Sequence, residues 1–472
     1  MLFNTIDFGI FLPIVLLLYW TLFRGSIKLQ NLFLIAVSYL FYSFWDWRFL
    51  SLIVFSSAVD FTVGHFMGKF ESKKSRKWLL VFSLISNFGI LFVFKYYNFF
   101  VDTFVETFQL FGSSFNHTSW QIILPVGISF YTFQTVSYTI DIYRNKIKPT
   151  KDIVSFFAFV AFFPQLVAGP IERAANLLPQ FQKKRFFQKE KNTDGLRLIL
   201  GGLFKKMVIA DNCAIFVNSI FENYQDASGS TLFFGAVFFA FQIYGDFSGY
   251  SDIAIGSSRL LGFDLMKNFN FPYLAQNVGD FWRRWHISLS TWFRDYLYIP
   301  LGGNRVGKAR FVFNIFVVFL VSGLWHGANK TFIVWGGIHA LFILPVFFLK
   351  FKIDDTGNRV IPSWRQLYNI GSTFLLVVFA WIFFRAPSMT DALHYVSGLF
   401  SSSFFSKPNI PGTGAALLLL YMIVEWFQRN REHLMDIGFI KSKWLRYGIY
   451  YFVLFCIFYF AGEVQPFIYF QF

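Results

Sequence analysis

Long apolar runs recur along the chain, separated by short polar stretches. They lie near residues 8–23, 30–45, 50–68, 78–100, 119–142, 196–220, 231–256, 311–325, 330–349, 366–384, 413–428 and 445–462. A helix needs about 20 mostly apolar residues to cross the hydrocarbon core of a bilayer. The pattern therefore predicts an all-α polytopic membrane protein of twelve spans in one transmembrane domain over residues 1–472. The opening MLFNTID has no basic segment, and no small-residue cleavage site follows the run at 8–23. That run is expected to be the first span rather than a cleaved signal.

The connections carry a second pattern. The first holds Arg24 and Lys28, the third is KFESKKSRK (Lys69–Lys77), and the fifth begins DIYRNKIKPTK. The second is short and aromatic, and the fourth, Val101–Trp120, has Asp102 and Glu106 but neither Lys nor Arg. Basic loops stay in the cytoplasm, so the alternation puts the odd loops inside and the N-terminus outside. It breaks twice. Residues 153–168 (IVSFFAFVAFFPQLVA) are apolar, yet basic chain flanks them on both sides and Pro164 interrupts any helix there. This segment is expected to be re-entrant, which irregular backbone tolerates only where protein or a cavity surrounds it. Residues 276–305 are too polar to span and too aromatic for a free loop, with Arg283, Arg284, Arg294 and Arg305 among Trp282, Trp285, Trp292, Tyr296 and Tyr298. They read as interfacial or re-entrant helices walling a cytoplasmic funnel.

Composition narrows the class further. Hydrophobic residues make up 55% of the 472 and charged ones 14%, against about 25% charged in soluble domains. A soluble enzyme, a disordered chain and a disulfide scaffold are excluded. The 71 Phe, within 23% aromatic residues, suit an acyl-chain environment. The net charge of +16 reads as cytoplasmic loops facing anionic lipid, with no nucleic-acid partner. Cys213 and Cys456 lie in apolar runs and suggest neither disulfide nor metal site.

Of seven histidines, His117, His394 and His433 fall in predicted loops and His65 near a span end. His339 is mid-span in WGGIHALFILP, His326 joins two apolar runs in VSGLWHGANK, and His286 lies in the amphipathic segment. An ionisable group at membrane depth is costly and points to function, although a packed, hydrogen-bonded histidine is the ordinary alternative. Around His326 the glycines Gly323 and Gly327 leave space, Trp325 is placed to wall a pocket, and Asn329 offers a polar neighbour. HExxH, CxxC, a Walker A loop and a completed GxSxG are all missing from the sequence, so zinc, nucleotide and nucleophile-elbow chemistry lack their parts. A buried neutral imidazole can still take a proton from a hydroxyl that attacks an activated thioester.

FWRRWHISLSTWFRDYLYIPLGGNR, followed by SGLWHGANKTFIVWGGIHA, resembles the signature of the membrane-bound O-acyltransferase superfamily. LPVGISFYTFQTVSYTIDIYR, FFPQLVAGPIERA and YGDFSGYSDIAIGSSRLLGFDLMKNFNFPYLA resemble its bacterial alginate O-acetyltransferase subfamily, and the likeness covers essentially the whole chain. The resemblance implies a helical bundle around a transmembrane tunnel, with re-entrant and interfacial helices on the cytoplasmic side. It implies His326 as catalytic base and His286 as the second family histidine, with Trp285, Ser290, Arg294, Asp295, Trp325 and Asn329 as candidates lining the substrate path. It implies acetyl-CoA as a donor substrate with no bound cofactor or metal, and a bacterial inner-membrane location. The acceptor would be an extracytoplasmic polysaccharide, reached directly or through an SGNH-type partner acetyltransferase.

Other readings stay open at this stage. The D-alanyl transfer branch of the same superfamily shares both histidine motifs. A glycan-precursor transporter or flippase would use histidines in a proton path, but Asp and Glu are scarce in the spans. A membrane glycosyltransferase would need an outer carboxylate, and Asp102 and Glu106 lie in no recognisable motif. The arginines Arg283, Arg284, Arg294 and Arg305 are candidates to meet coenzyme A phosphates, or they set topology alone. Arg294 and Asp295 are also placed to pair with each other. The outer loop Arg385–Gly412, rich in Ser, Phe and Pro, is a candidate docking surface or an ordinary solvated loop.

Overall fold

The computed structural model describes residues 1–109, 111, 120, 122–167, 169–349, 351, 353, 360–462 and 465–471, with the side chains of 470 and 471 left out. Among the described residues there are twenty α-helices, short 3-10 and π turns between some of them, and no strand. The chain order is α1 (Ile6–Thr21), α2 (Ile27–Asp46), α3 (Leu50–Met67), α4 (Lys73–Leu91), α5 (Tyr97–Gln109), α6 (Ile128–Tyr143), α7 (Ile153–Ala161), α8 (Phe163–Leu166), α9 (Ala174–Phe181) and α10 (Lys189–Leu203). There follow α11 (Asp211–Glu222), α12 (Gly229–Leu260), α13 (Val278–Arg284), α14 (Ile287–Phe293), α15 (Lys308–His326), α16 (Lys330–Phe348), α17 (Trp364–Arg385), α18 (Met389–Leu399), α19 (Gly412–Gln428) and α20 (Lys443–Phe460).

Among the described residues, most of each apolar run of the sequence lies in helix, the run from 119 only in its later part. Among the described residues, six helical stretches are long and apolar enough to cross a membrane: Ile27–Met67, Lys73–Gln109, Gly229–Leu260, Lys308–His326, Lys330–Phe348 and Trp364–Arg385. The protein is multi-pass and all-helical.

Several local expectations need correction. The run expected to begin at 119 becomes helical only at Ile128. Gly127 before it has φ +75, and a Cβ there would stand 2.5 Å from the Leu166 carbonyl oxygen, so the chain turns at a residue without one. The expected loop from Val101 is helical as far as Gln109, because α5 continues from α4 through a π turn, Phe92–Tyr96. His394 sits on α18, and His433 is buried rather than solvated. His117 lies outside the described residues.

Contacts divide the chain into two compact units. The first comprises Met1–Gly195 with Ser257–Met266. Within it α3, α4 and α6 pack together, as do α2, α7 and α9. Buried polar groups satisfy one another: Asp60 accepts from Ser83 Oγ (2.6 Å) and Asn87 Nδ2 (2.9 Å). A carboxylate removed from water needs such donors. The segment 153–168 is broken at Phe162 into α7 and α8, with Pro164 in the first turn of α8 where its missing N–H costs nothing. Phe163 N donates to Ser38 Oγ (3.1 Å), which satisfies one of the backbone groups the break frees.

The second unit comprises Leu196–Gly256 with Lys267–Phe472, and it contains all the histidines of the two long motifs. Its α15 and α16 form a helical hairpin, and α17 packs against α16.

Candidate functional site

The hairpin sets the first histidine. A Cβ on Gly323 of α15 would stand 2.2 Å from Phe332 O, and one on Gly336 of α16 would stand 2.2 Å from Phe319 O. The two helices thus touch backbone to backbone, an approach that only glycine permits. His326 is the last residue of α15. Gly327 leaves the helix in an extended conformation, and a Cβ there would strike the Phe332 ring at 2.1 Å. Asn329 starts α16: its Oδ1 accepts from Thr331 N (3.1 Å) and its Nδ2 donates to Pro387 O (2.8 Å). Its amide therefore caps a helix and ties down the following segment.

A sharp turn sets the second histidine. α13 opens on Asn277, whose Oδ1 accepts from Asp280 N (2.8 Å), and Asp280 in turn accepts from Arg284 Nε (3.0 Å). His286 separates α13 from α14 with φ 42 and ψ 55, in the left-handed region that costs a non-glycine residue free energy. Asn268 holds this turn. Its backbone O accepts from Ile287 N (2.9 Å), and its Oδ1 accepts from Ser288 N (3.3 Å) and Ser288 Oγ (2.9 Å). Its Nδ2 donates to Ser251 Oγ (3.2 Å) on α12. Asn268→Ala removes the side-chain bonds and leaves buried groups unsatisfied, at about 1–3 kcal/mol. The expected result is a lower melting temperature in detergent and a slower turnover, read by thermal unfolding and acyl-transfer assay of the same preparation.

The two turns meet. The rings of His286 and His326 have centroids 6.4 Å apart, and the residues are 0% and 3% exposed. Tyr469 Oη lies 3.2 Å from His326 Nδ1. Phe247 packs edge-on to His286 at 4.6 Å, and Trp335 and Phe384 pack on His326 at 5.2 and 5.3 Å. Trp325 lies beside both histidines. His339, one helix turn from Trp335, stacks parallel to Phe281 and Phe319 and edge-on to Trp282 and Trp335. Neither of its ring nitrogens has a hydrogen-bond partner among the described residues.

The remaining predicted residues divide between this cage and a nearby cavity. Trp285 is buried and packs against Phe269, Phe281 and Trp381, a wall rather than a reacting group. Ser290 and Arg294 line a cavity of about 550 Å³ together with Arg283, Thr291, Trp282 and Asn277, with Ile343, Val346 and Phe347 opposite. Ser290 Oγ donates to Trp285 O (3.2 Å). Arg294 Nε pairs with Asp295 Oδ1 (2.8 Å), and Arg284 is taken by Asp280, so the arginine facing the cavity beside Arg294 is Arg283.

Tyr469, Asn268 and Trp335 are not among the residues the sequence singles out, and His339 stands out there only as a mid-span histidine. Asn268 stood in a quoted motif, and Trp335 and His339 stood in WGGIHA, but nothing local signals that they converge. Tyr469 lies in an aromatic stretch after the last long helix that carries no motif of its own.

Comparison with known proteins gives a consistent result. The model of MBOAT, the membrane-bound O-acyltransferase family, matches residues 144–386. The chain is 38% identical over 426 residues to the Probable alginate O-acetylase AlgI of Pseudomonas aeruginosa, covering 89% of this chain and 79% of that protein. It is 36% identical over 430 residues to the Peptidoglycan O-acetyltransferase of Helicobacter pylori, covering 84% of this chain and 80% of that protein. To the Teichoic acid D-alanyltransferase of Bacillus subtilis it is 29% identical over 286 residues, covering 57% of this chain and 70% of that protein.

Proposed function

The chain belongs to the membrane-bound O-acyltransferase family and is an O-acyltransferase of its alginate O-acetylase-like branch, and from that premise we propose that it moves acetyl from cytoplasmic acetyl-CoA through a central tunnel to an extracytoplasmic acceptor. The acceptor is a polysaccharide hydroxyl or a partner acetyltransferase of SGNH type. The protein works in the bacterial inner membrane with its N-terminus outside. Coenzyme A serves as substrate carrier and no resident cofactor takes part.

In this reading His326 is the general base. With Nδ1–H donating to Tyr469 Oη, Nε2 is the ring nitrogen that acts as proton acceptor. Nε2 takes the proton of the acceptor hydroxyl as that oxygen attacks the thioester carbonyl. The tetrahedral intermediate collapses, the C–S bond breaks, and the proton passes to the departing thiolate. His286 borders the reacting centre and orients one substrate by hydrogen bonding. The cavity at Arg283 and Arg294 supports a donor site: guanidinium groups suit phosphates, and the apolar wall suits a pantetheine chain.

The observation that carries the proposal is the meeting of the two motif histidines, buried 6.4 Å apart under aromatic walls. Depth supports it too. α15 runs from Lys308 to His326, about 27 Å at 1.5 Å per residue, so with the basic end in the cytoplasm His326 lies far across the bilayer. A cytoplasmic segment that brings His286 to it must dip deeply, in keeping with a re-entrant 276–305. The weaker and shorter match to the D-alanyl transferase favours the acetyl branch.

Membranes carrying the protein, given acetyl-CoA labelled in the acetyl group, are expected to pass label to an extracytoplasmic sugar or partner protein. Label that stays on coenzyme A overturns the proposal. Transfer from a D-alanyl carrier protein instead would assign the other branch.

A further inference from the structure

The second unit also buries a charged cluster that the chemistry above does not use. Lys206 is 1% exposed. Its ammonium faces Asp211 Oδ1 (2.8 Å), Asp246 Oδ1 (2.9 Å) and the backbone oxygen of Gln465 (3.0 Å). Two of these contacts are ion pairs, and the third is a hydrogen bond to the Gln465 carbonyl. Asp246 is shared: Oδ1 serves Lys206 and Oδ2 accepts from Ile468 N (2.7 Å). One lysine and one aspartate therefore grip the stretch from Gln465 to Ile468, the first through a carbonyl and the second through an N–H.

The local sequence builds this grip. Lys206 lies in a π-helical turn, Phe204–Ala210, a widened geometry that recurs at functional positions. Asp246 lies on α12 in YGDFSGY. Gly202 and Gly249 let the two segments approach, since a Cβ on Gly249 would stand 2.7 Å from Gly202 O and one on Gly202 would stand 2.6 Å from Gly249 O. Next along α12, Phe247 packs 4.5 Å from the Tyr469 ring and Tyr250 packs 4.2 Å from Phe467. The gripped stretch thus leads directly to the tyrosine that meets His326 Nδ1.

We infer that Lys206, Asp211 and Asp246 are positioning residues for the transfer reaction: they dock Gln465–Tyr469 against α12 and so set Tyr469 Oη on His326. This rests on the reading of His326 as the base. Physical chemistry favours a geometric role over a stabilising one. A buried ion cluster contributes little net stability because desolvation offsets the attraction. This one holds two carboxylates against one ammonium, and the Ile468 N–H is a donor to one of those carboxylates. Cluster and docked segment therefore complete each other.

A double-mutant cycle tests the coupling. Ile468→Pro deletes the N–H that donates to Asp246 while keeping all three charged side chains of the cluster, and it falls at the first residue of a 3-10 turn, where proline is tolerated. Asp246→Asn weakens the same grip from the other side. Each is expected to lower kcat by about 10²-fold, the scale of a small misplacement of a reacting group, with KM for acetyl-CoA unchanged. Tyr469→Phe is expected to lower kcat likewise. Either variant combined with Tyr469→Phe should be no slower than the slower single variant. The neighbouring buried pair, Lys205 Nζ to Asp252 Oδ2 at 2.8 Å, is the control: Asp252→Asn and Tyr469→Phe should multiply. Losses that multiply for Ile468→Pro with Tyr469→Phe, or a Tyr469→Phe protein with unchanged kcat, would overturn the inference. If His326→Ala stays fully active, the base assignment is what fails; if it is inactive while the cycle multiplies, the docking fails by itself.

Discussion

On the proposed role of His326 as general base, replacing it with alanine is expected to slow acyl transfer by on the order of 10²–10⁴-fold, the usual contribution of such a group. The protein should still be made, inserted and folded. His326 ends its helix, and the backbone contact of α15 with α16 is carried by Gly323 and Gly336. The Trp325, Trp335 and Phe384 rings around it lose one neighbour, so the melting temperature falls modestly. His326→Gln, which keeps most of the volume and a hydrogen-bonding amide, should melt close to the parent and remain as inactive as the alanine variant. Labelled acetyl-CoA supplied to membranes of each variant provides the readout. Full turnover in either would show that the imidazole removes no proton in the reaction.

A contrast of two adjacent glycines gives the second large effect. Gly336→Ala places a Cβ 2.2 Å from the Phe319 carbonyl oxygen, whereas Gly337→Ala places one no nearer than 3.8 Å to Leu320 Cδ2. The first forces α15 and α16 apart. Overpacking of this kind costs about 1–3 kcal/mol, and more where backbone must move. Separation of the hairpin also shifts His326 relative to His286, so turnover should fall together with stability. The second makes an ordinary van der Waals contact in a helix interior, where alanine is favoured over glycine by about 0.5–1 kcal/mol. Melting of the detergent-solubilised variants side by side should show opposite shifts. Equal behaviour of the two would mean that the helices do not meet backbone to backbone at Gly336.

Much of this architecture was legible because a bilayer imposes its demands locally. A crossing helix must be apolar over its own length, and lysine and arginine must stay on the cytoplasmic side, so runs and loop charges can be read without knowing any neighbour. Errors arose where the deciding group was remote. The onset of α6 at Ile128 depends on Gly127 fitting beneath the Leu166 carbonyl, a residue far along the chain. The loop reading of 101–120 relied on charge and overlooked that phenylalanines continue α4 into α5. At the candidate site, His326 was visible as a histidine between two apolar runs, His286 as one in an amphipathic segment, and Trp325 as a neighbour placed to wall a pocket. Asn329 was visible too, although its amide is spent on capping α16 and holding Pro387.

The amino-acid sequence by itself determined that the chain is a membrane-embedded helical protein, since that follows from composition and period; the family and its two motif imidazoles came from the resemblance of whole motifs, not from either. Only the tertiary structure decided what those imidazoles face. Asn268 reaches Ser288 across 20 residues, Tyr469 reaches His326 across 143, and Asp246 reaches Ile468 across 222. Contacts of that separation are selected by how helices pack and which buried donors must find acceptors, and no local pattern in the chain encodes them.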